Sequence, residues 1–76
     1  MKKLGNVPLR DYRKFLLHVG LKHVKTEGSH EKWVGGDLKR SVILQTTHDP
    51  VPVRIIKQHL RIMNLSTLDL LRFLDQ

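Results

Sequence analysis

The 76-residue chain contains no cysteine. That excludes disulfide staples and thiolate nucleophiles, and with them every thiolate metal cluster. Aromatic side chains are few: Tyr12, Phe15, Phe73 and the single tryptophan, Trp33. A domain of this size needs them inside, so they are expected in a core and not as base-stacking platforms. No apolar run is long enough to span a bilayer, and no charged-then-apolar signal segment opens the sequence. A cytoplasmic location with no membrane partner is therefore expected. Gly-rich phosphate loops, nucleophile elbows and paired-acid arrangements are also missing. Acid is scarce: seven Asp and Glu stand against fourteen Lys and Arg, a formal charge of +7.

What is present follows from that imbalance. A chain of 76 residues forms one domain, residues 1–76, and buries only about 60% of its unfolded surface. Such a small basic domain has nucleic acid as its default partner, because each neutralised phosphate releases counterions. A membrane surface would require a basic amphipathic helix with spare apolar surface. Here the apolar helix faces are needed for the core.

Hydrophobic periodicity places a first helix over 8–19, with Pro8 in its first turn and Leu9, Tyr12, Phe15, Leu16 and Val19 on one face. Gly20 is expected as its left-handed cap. Three short strands follow: Lys22 to Thr26, His30 to Val34 and Arg40 to Thr46. Glu27-Gly28-Ser29 turns the chain between the first two. Gly35-Gly36-Asp37 reads as a hairpin signal, since glycine accepts the positive φ of tight turns. The run Val42-Ile43-Leu44 suggests a central strand or one buried on both faces.

His48-Asp49-Pro50-Val51-Pro52 is a stiff loop. A second helix over 53–63 carries Ile56, Leu60 and Met63 on one face, with Asn64 as its cap. Ser66-Thr67-Leu68-Asp69 is a capping-box pattern opening a short last helix. That helix is expected to turn Leu68, Leu71 and Leu74 inward, with Leu70 and Phe73 beside them. The order is α-β-β-β-α plus a short C-terminal helix. This is an α+β two-layer domain: an antiparallel three-stranded sheet with helices on one face and the other face open.

His30 is the candidate for chemistry. It follows the Gly28-Ser29 turn at the start of a strand. Alternation sets His30, Lys32 and Val34 on one face and Glu31 and Trp33 on the other. If Trp33 packs under the helices, a base and a cation face outward together. That pair suits phosphodiester cleavage. The base takes the 2′-hydroxyl proton, and the cation steadies charge gathering on phosphate. The same position also suits an exposed histidine with no role.

Arg54, Lys57 and Arg61 form a stripe three and four residues apart, able to follow a phosphate backbone; a plain solvated helix face has the same pattern. Lys22, Lys25, Lys39 and Arg40 would extend the basic field if they faced the same way. Among the five histidines, the pairs His18/His23 and His48/His59 lack short metal-ligand spacing, so neither metal nor cofactor is expected.

These pieces together resemble the HicA-type mRNA interferase toxins of bacterial toxin–antitoxin modules. The likeness rests on the amphipathic first helix, Gly28-Ser29-His30 opening the second strand, Trp33 shortly after it, and the His48–Pro52 loop. It is completed by Ile56-Lys57-Gln58-His59-Leu60-Arg61-Ile62-Met63-Asn64-Leu65-Ser66, similar to that family's helix-two signature. It spans about residues 9–66. The chain departs from the family at Asn64, where glycine is frequent, and at Val53-Arg54, where a small residue is frequent.

The resemblance implies a double-stranded-RNA-binding-domain-like fold and metal-independent endoribonuclease activity on mRNA, inhibiting translation and growth. His30 would be catalytic. The resemblance also implies a cognate HicB-type antitoxin in a hetero-oligomer. The reading of the residues themselves adds Gly28, Ser29, Lys32, Lys25, Arg54, Lys57 and Arg61 as groups that would bind RNA or support the transition state. The alternative from another class is a non-catalytic double-stranded-RNA-binding module, which holds duplex RNA by shape and 2′-hydroxyl contacts.

Overall fold

A computed structural model describes residues 4–75. A single 3-10 turn at Leu4–Asn6 leads into α1 (Leu9–His18). Pro8 stands just ahead of this helix, in extended backbone, and supplies no side-chain cap. The cap comes instead from forty residues away: the Leu9 N–H donates to Asp49 Oδ1 at 2.9 Å. Asp49 lies in the loop before the second long helix, at a cis bond to Pro50. A carboxylate there also complements the positive end of the helix dipole. Val51 N–H donates to the Val7 carbonyl at 2.9 Å, so two backbone and side-chain bonds tie this loop to the start of α1.

The other end of α1 behaves as read. Gly20 adopts φ +97. Its N–H donates to Leu17 O, and the Leu21 N–H donates to Leu16 O. This pair of bonds closes a Schellman motif, which needs a left-handed residue where glycine carries no penalty.

The sheet contains β1 (Lys22–Glu27), β2 (His30–Val34) and β3 (Val42–Gln45) in the order β1-β2-β3, both pairs antiparallel. Two expectations are corrected here. First, β3 is an edge strand and β2 is central. Val42 and Leu44 are fully buried while Ile43 is 44% exposed, so the apolar run hides an ordinary alternation. Second, Gly35-Gly36-Asp37 makes no tight hairpin. Neither glycine has positive φ. Leu38 N–H closes a turn on Gly35 O, and seven residues separate β2 from β3. An unprimed turn splays strands, so a longer connection is required. Gly35 answers to packing instead: a Cβ there would meet Leu21 Cδ1 at 3.2 Å.

α2 (Val53–Met63) and α3 (Thr67–Leu74) complete the chain. Asn64 caps α2 at φ +58. Ser66 and Asp69 form the reciprocal capping box on α3, which holds the Asp69 carboxyl below its usual range through the Ser66 backbone N–H and hydroxyl.

The expected phase of α3 is corrected. Leu70 is its buried leucine, whereas Leu68 is exposed and Leu71 and Leu74 are only half-buried. Five apolar residues in seven positions leave the phase open by sequence, and packing beside α1 decides it. Phe73 meets Phe15 with ring centroids 5.6 Å apart.

The core lies between the helices and one face of the sheet. Tyr12, Phe15 and Leu16 of α1, Ile56 and Leu60 of α2, Trp33 of β2, and Val42 and Leu44 of β3 join in one cluster. This is the two-layer α+β arrangement. Among the described residues, no helix is long and apolar enough to cross a membrane.

Candidate active site on the uncovered sheet face

A glycine-dependent turn and the strand register build the site. The β1–β2 hairpin turns on two residues, Gly28 and Ser29, with Glu27 directly opposite His30. Gly28 has φ +59, and Ser29 is not in the left-handed region. That is the pattern of a type II′ turn, in which glycine occupies the first central position. The turn is anchored from the far strand. The Thr46 N–H and hydroxyl both donate to the Ser29 carbonyl, at 2.8 and 3.1 Å. His30 thus leaves a fixed corner, not a floppy loop tip.

Register then sorts the side chains. His30 pairs with Gln45, Lys32 with Ile43 and Lys25 with Lys32. Directly opposed residues share a face, so Lys25, Glu27, His30, Lys32, Ile43 and Gln45 are all on the side away from the helices. A shallow depression of about 230 Å³ is lined by Lys25, Glu27, His30, Lys32 and Ile43. The expected juxtaposition of His30, Lys32 and Lys25 is therefore present.

A bulge at Val24, between His23 and Lys25, shifts the register of β1. It carries Lys25 round to pair with Lys32. Lys25 Nζ binds Glu27 Oε1 across two residues of the same strand. Among the described residues, the His30 side chain has no hydrogen bond or ion pair.

The covered face is arranged differently. Glu31 accepts from Arg13 Nη2 at 2.7 Å and Nε at 3.2 Å, and from Trp33 Nε1 at 3.2 Å. Burial raises its carboxyl, but the hydrogen bonds from Arg13 and Trp33 and the charges of Arg13 and His23 outweigh that and hold it below the usual range. His59 is 3% exposed on the apolar face of α2. Its Nε2 lies 2.9 Å from the Ile43 carbonyl and its Nδ1 2.7 Å from the Tyr12 hydroxyl. A carbonyl only accepts, so Nε2 carries the hydrogen and Nδ1 accepts from Tyr12. Burial lowers the His59 pKa, with the Ile43 carbonyl opposing. Burial likewise raises that of Tyr12. This relay joins α1, α2 and β3 and occupies a carbonyl on the outer edge of β3.

The remaining sequence candidates fall elsewhere. Gly28 and Ser29 form the turn. Arg54, Lys57 and Arg61 are exposed on α2 and line a depression of their own with Val53 and Gln58. Lys39 and Arg40 are not strand residues; they sit in the β2–β3 connection and share a groove with Gln58 and Arg61. The basic residues thus form two surfaces and not the single field the sequence invited. The other histidines are placed apart: His18 against Phe73, His23 stacked on Trp33, and His48 exposed in its loop. Among the described residues, no three His, Asp or Glu side chains gather into a metal-binding set.

Two features of this region escaped the sequence reading, one beside His30 and one beneath the sheet. Glu27 was legible in principle, because a two-residue turn at 28–29 forces 27 and 30 to face each other. His59 lies in register with Ile56, Leu60 and Met63, a spacing that marks it as a buried group.

Comparison with known proteins leaves the reading to the geometry. Neither protein-family models, nor curated proteins, nor solved structures gave a match to this chain.

Proposed function

We propose that this protein is a metal-independent endoribonuclease of the mRNA interferase type, with His30 as its general base. The observation that carries the reading is a histidine on the uncovered face of the sheet, without a partner among the described residues and flanked by Lys25 and Lys32. A buried or hydrogen-bonded histidine would suggest a structural role; His30 is exposed and makes no hydrogen bond among the described residues. In the reaction, His30 accepts the proton of a ribose 2′-hydroxyl. The 2′-oxygen then bonds to phosphorus and the bond to the 5′-oxygen breaks, leaving a 2′,3′-cyclic phosphate and a 5′-hydroxyl. Lys32 and Lys25 offset the charge on the phosphoryl oxygens. The second basic surface, Arg54, Lys57 and Arg61, holds the flanking strand.

The resemblance to HicA-type toxins supports the same reading and adds its biological setting. The protein would act on mRNA in the cytoplasm, inhibit translation and growth, and be neutralised by a HicB-type antitoxin. An antitoxin that covers His30 and the open face would exclude RNA by occupation, and opposite charge would speed its association.

A binding module without catalysis is the second reading. The α2 surface favours it, because the residues lining that depression include no histidine and no carboxylate. One experiment separates the two. Purified protein is incubated with end-labelled RNA in excess EDTA. Cleavage giving cyclic-phosphate ends supports the ribonuclease. Retention of intact RNA supports the binding module. Activity that appears only with a divalent ion removes the proposed role of His30 as sole base.

A further inference from the structure

We infer that Glu27 is the positioning partner of His30: its carboxylate accepts an imidazole N–H and so fixes the tautomer that removes the 2′-hydroxyl proton. This rests on the ribonuclease reading and supplies what that reading lacks, a reason for the imidazole to be oriented.

The argument begins at the turn. With only Gly28 and Ser29 between them, Glu27 and His30 are directly opposed. Such pairs hold their Cβ atoms about 4.5–5.5 Å apart, within reach of a carboxylate and a ring nitrogen. Both line the same depression. Among the residues lining it, Glu27 is the only acid. The groups facing His30 from its neighbours are Lys25 and Glu27 on β1 and Lys32 on β2, while β3 presents the uncharged Ile43 and Gln45. A carboxylate within the ring's reach holds one imidazole nitrogen and leaves the other free to accept a proton.

In the free protein the carboxylate is occupied by Lys25, with both side chains well exposed. An exposed ion pair of this kind adds little stability, so a phosphate can take the lysine from it. RNA binding then does two things together. Lys25 moves to the phosphate, and Glu27 is released to His30. The proton taken from the 2′-hydroxyl rests on the imidazolium beside Glu27, and the same ring returns it to the departing 5′-oxygen. No other reactant is needed.

The test compares the parent with Glu27→Gln and Glu27→Asp, each checked for folding by its amide NMR spectrum. Glu27→Gln is expected to lower kcat by on the order of 10-fold to 100-fold, less than removal of the base itself. The acid limb of the kcat profile, which reports the RNA complex, should move to lower pH, because the imidazolium loses its carboxylate. Glu27→Asp should recover part of kcat and of the limb. Imidazole ¹⁵N shifts of His30, recorded with an uncleavable 2′-deoxy analogue bound, should show one tautomer in the parent and a mixture in Glu27→Gln. A folded Glu27→Gln that cleaves like the parent with an unmoved profile overturns the inference and leaves the ribonuclease standing. A parent that binds RNA without cutting it overturns both.

Discussion

A histidine of α2 packed over the sheet and a histidine on the sheet's open face are held in opposite ways. His59, on the covered side, is bonded at both ring nitrogens, to Tyr12 and to the Ile43 carbonyl. His30, on the open side, has no partner among the described residues. The acids differ in the same sense. Glu31 is gripped by Arg13 and Trp33 in a half-buried setting, whereas Glu27 has only an exposed lysine. Polar groups on the covered face are satisfied because leaving them otherwise would cost stability. On the open face water satisfies them, and a ligand can displace water. The contrast teaches where to look: on this sheet, the candidate for chemistry is the histidine of the open face, which has no bonding partner among the described residues.

The comparison is broken most forcefully by neighbouring residues that point to opposite faces. Leu44→Ala removes a fully buried side chain and is expected to cost about 2–5 kcal/mol, a large share of a small domain's stability. Ile43→Ala, one residue away but 44% exposed, should cost about 1 kcal/mol or less. Urea unfolding midpoints measure both. Equal losses would mean that the face assignment of β3 is wrong.

A smaller effect separates the faces by pH. His59 has its pKa lowered in the fold by burial, relative to its ordinary 6.5. Below that pH the unfolded chain takes up a proton that the folded one refuses. Stability is therefore complete above about pH 6.5 and falls as the solution is acidified. Glu31, also held low, keeps its contribution above its ordinary 4.5 and loses it as pH falls through the folded value. Melting temperatures should therefore drop first just below neutrality and again in stronger acid. His59→Gln preserves a donor and an acceptor but does not titrate, so it should flatten the first drop. His30→Gln should leave that drop in place. A first drop that follows His30 and not His59 would reverse the assignment of roles.

The gentlest test concerns the second basic surface. Charge reversal at Arg54, Lys57 and Arg61 should make the salt dependence of RNA binding shallower, by about 0.7 in slope per lost phosphate contact for single strands. The pH profile of cleavage should stay as it is, because these residues line a different depression from His30. An unchanged salt slope would make this face of α2 a plain solvated one.

Much of this arrangement was legible in the chain. The α2 boundaries follow from its periodicity, and β2 from its alternation. That alternation turns His30 and Lys32 outward because Trp33 must go in. Asn64, Gly20 and the Ser66–Asp69 box act as their residue types suggest, because capping is a local matter. The unread parts depend on distance or on competition. Asp49 caps a helix forty residues away, which no local pattern encodes. The Val24 bulge decides which β1 residues join His30, and a single extra residue leaves little trace in so short and polar a strand. Gly35 looked like a turn glycine but serves close packing against Leu21. The site was half-visible: His30 and Lys32 came from alternation, but Glu27 needed the turn length to be taken literally.

The central claim is that the open face is a reaction surface built on His30. It is tested most directly by comparing RNA cleavage by the parent protein and by His30→Ala, in EDTA, with circular dichroism and melting to confirm that both are folded. The account predicts cleavage by the parent and a loss on the order of 10²-fold or more in the variant, with the melting temperature little changed because the side chain is exposed and without a partner among the described residues. A folded His30→Ala protein that cleaves RNA as fast as the parent would contradict it.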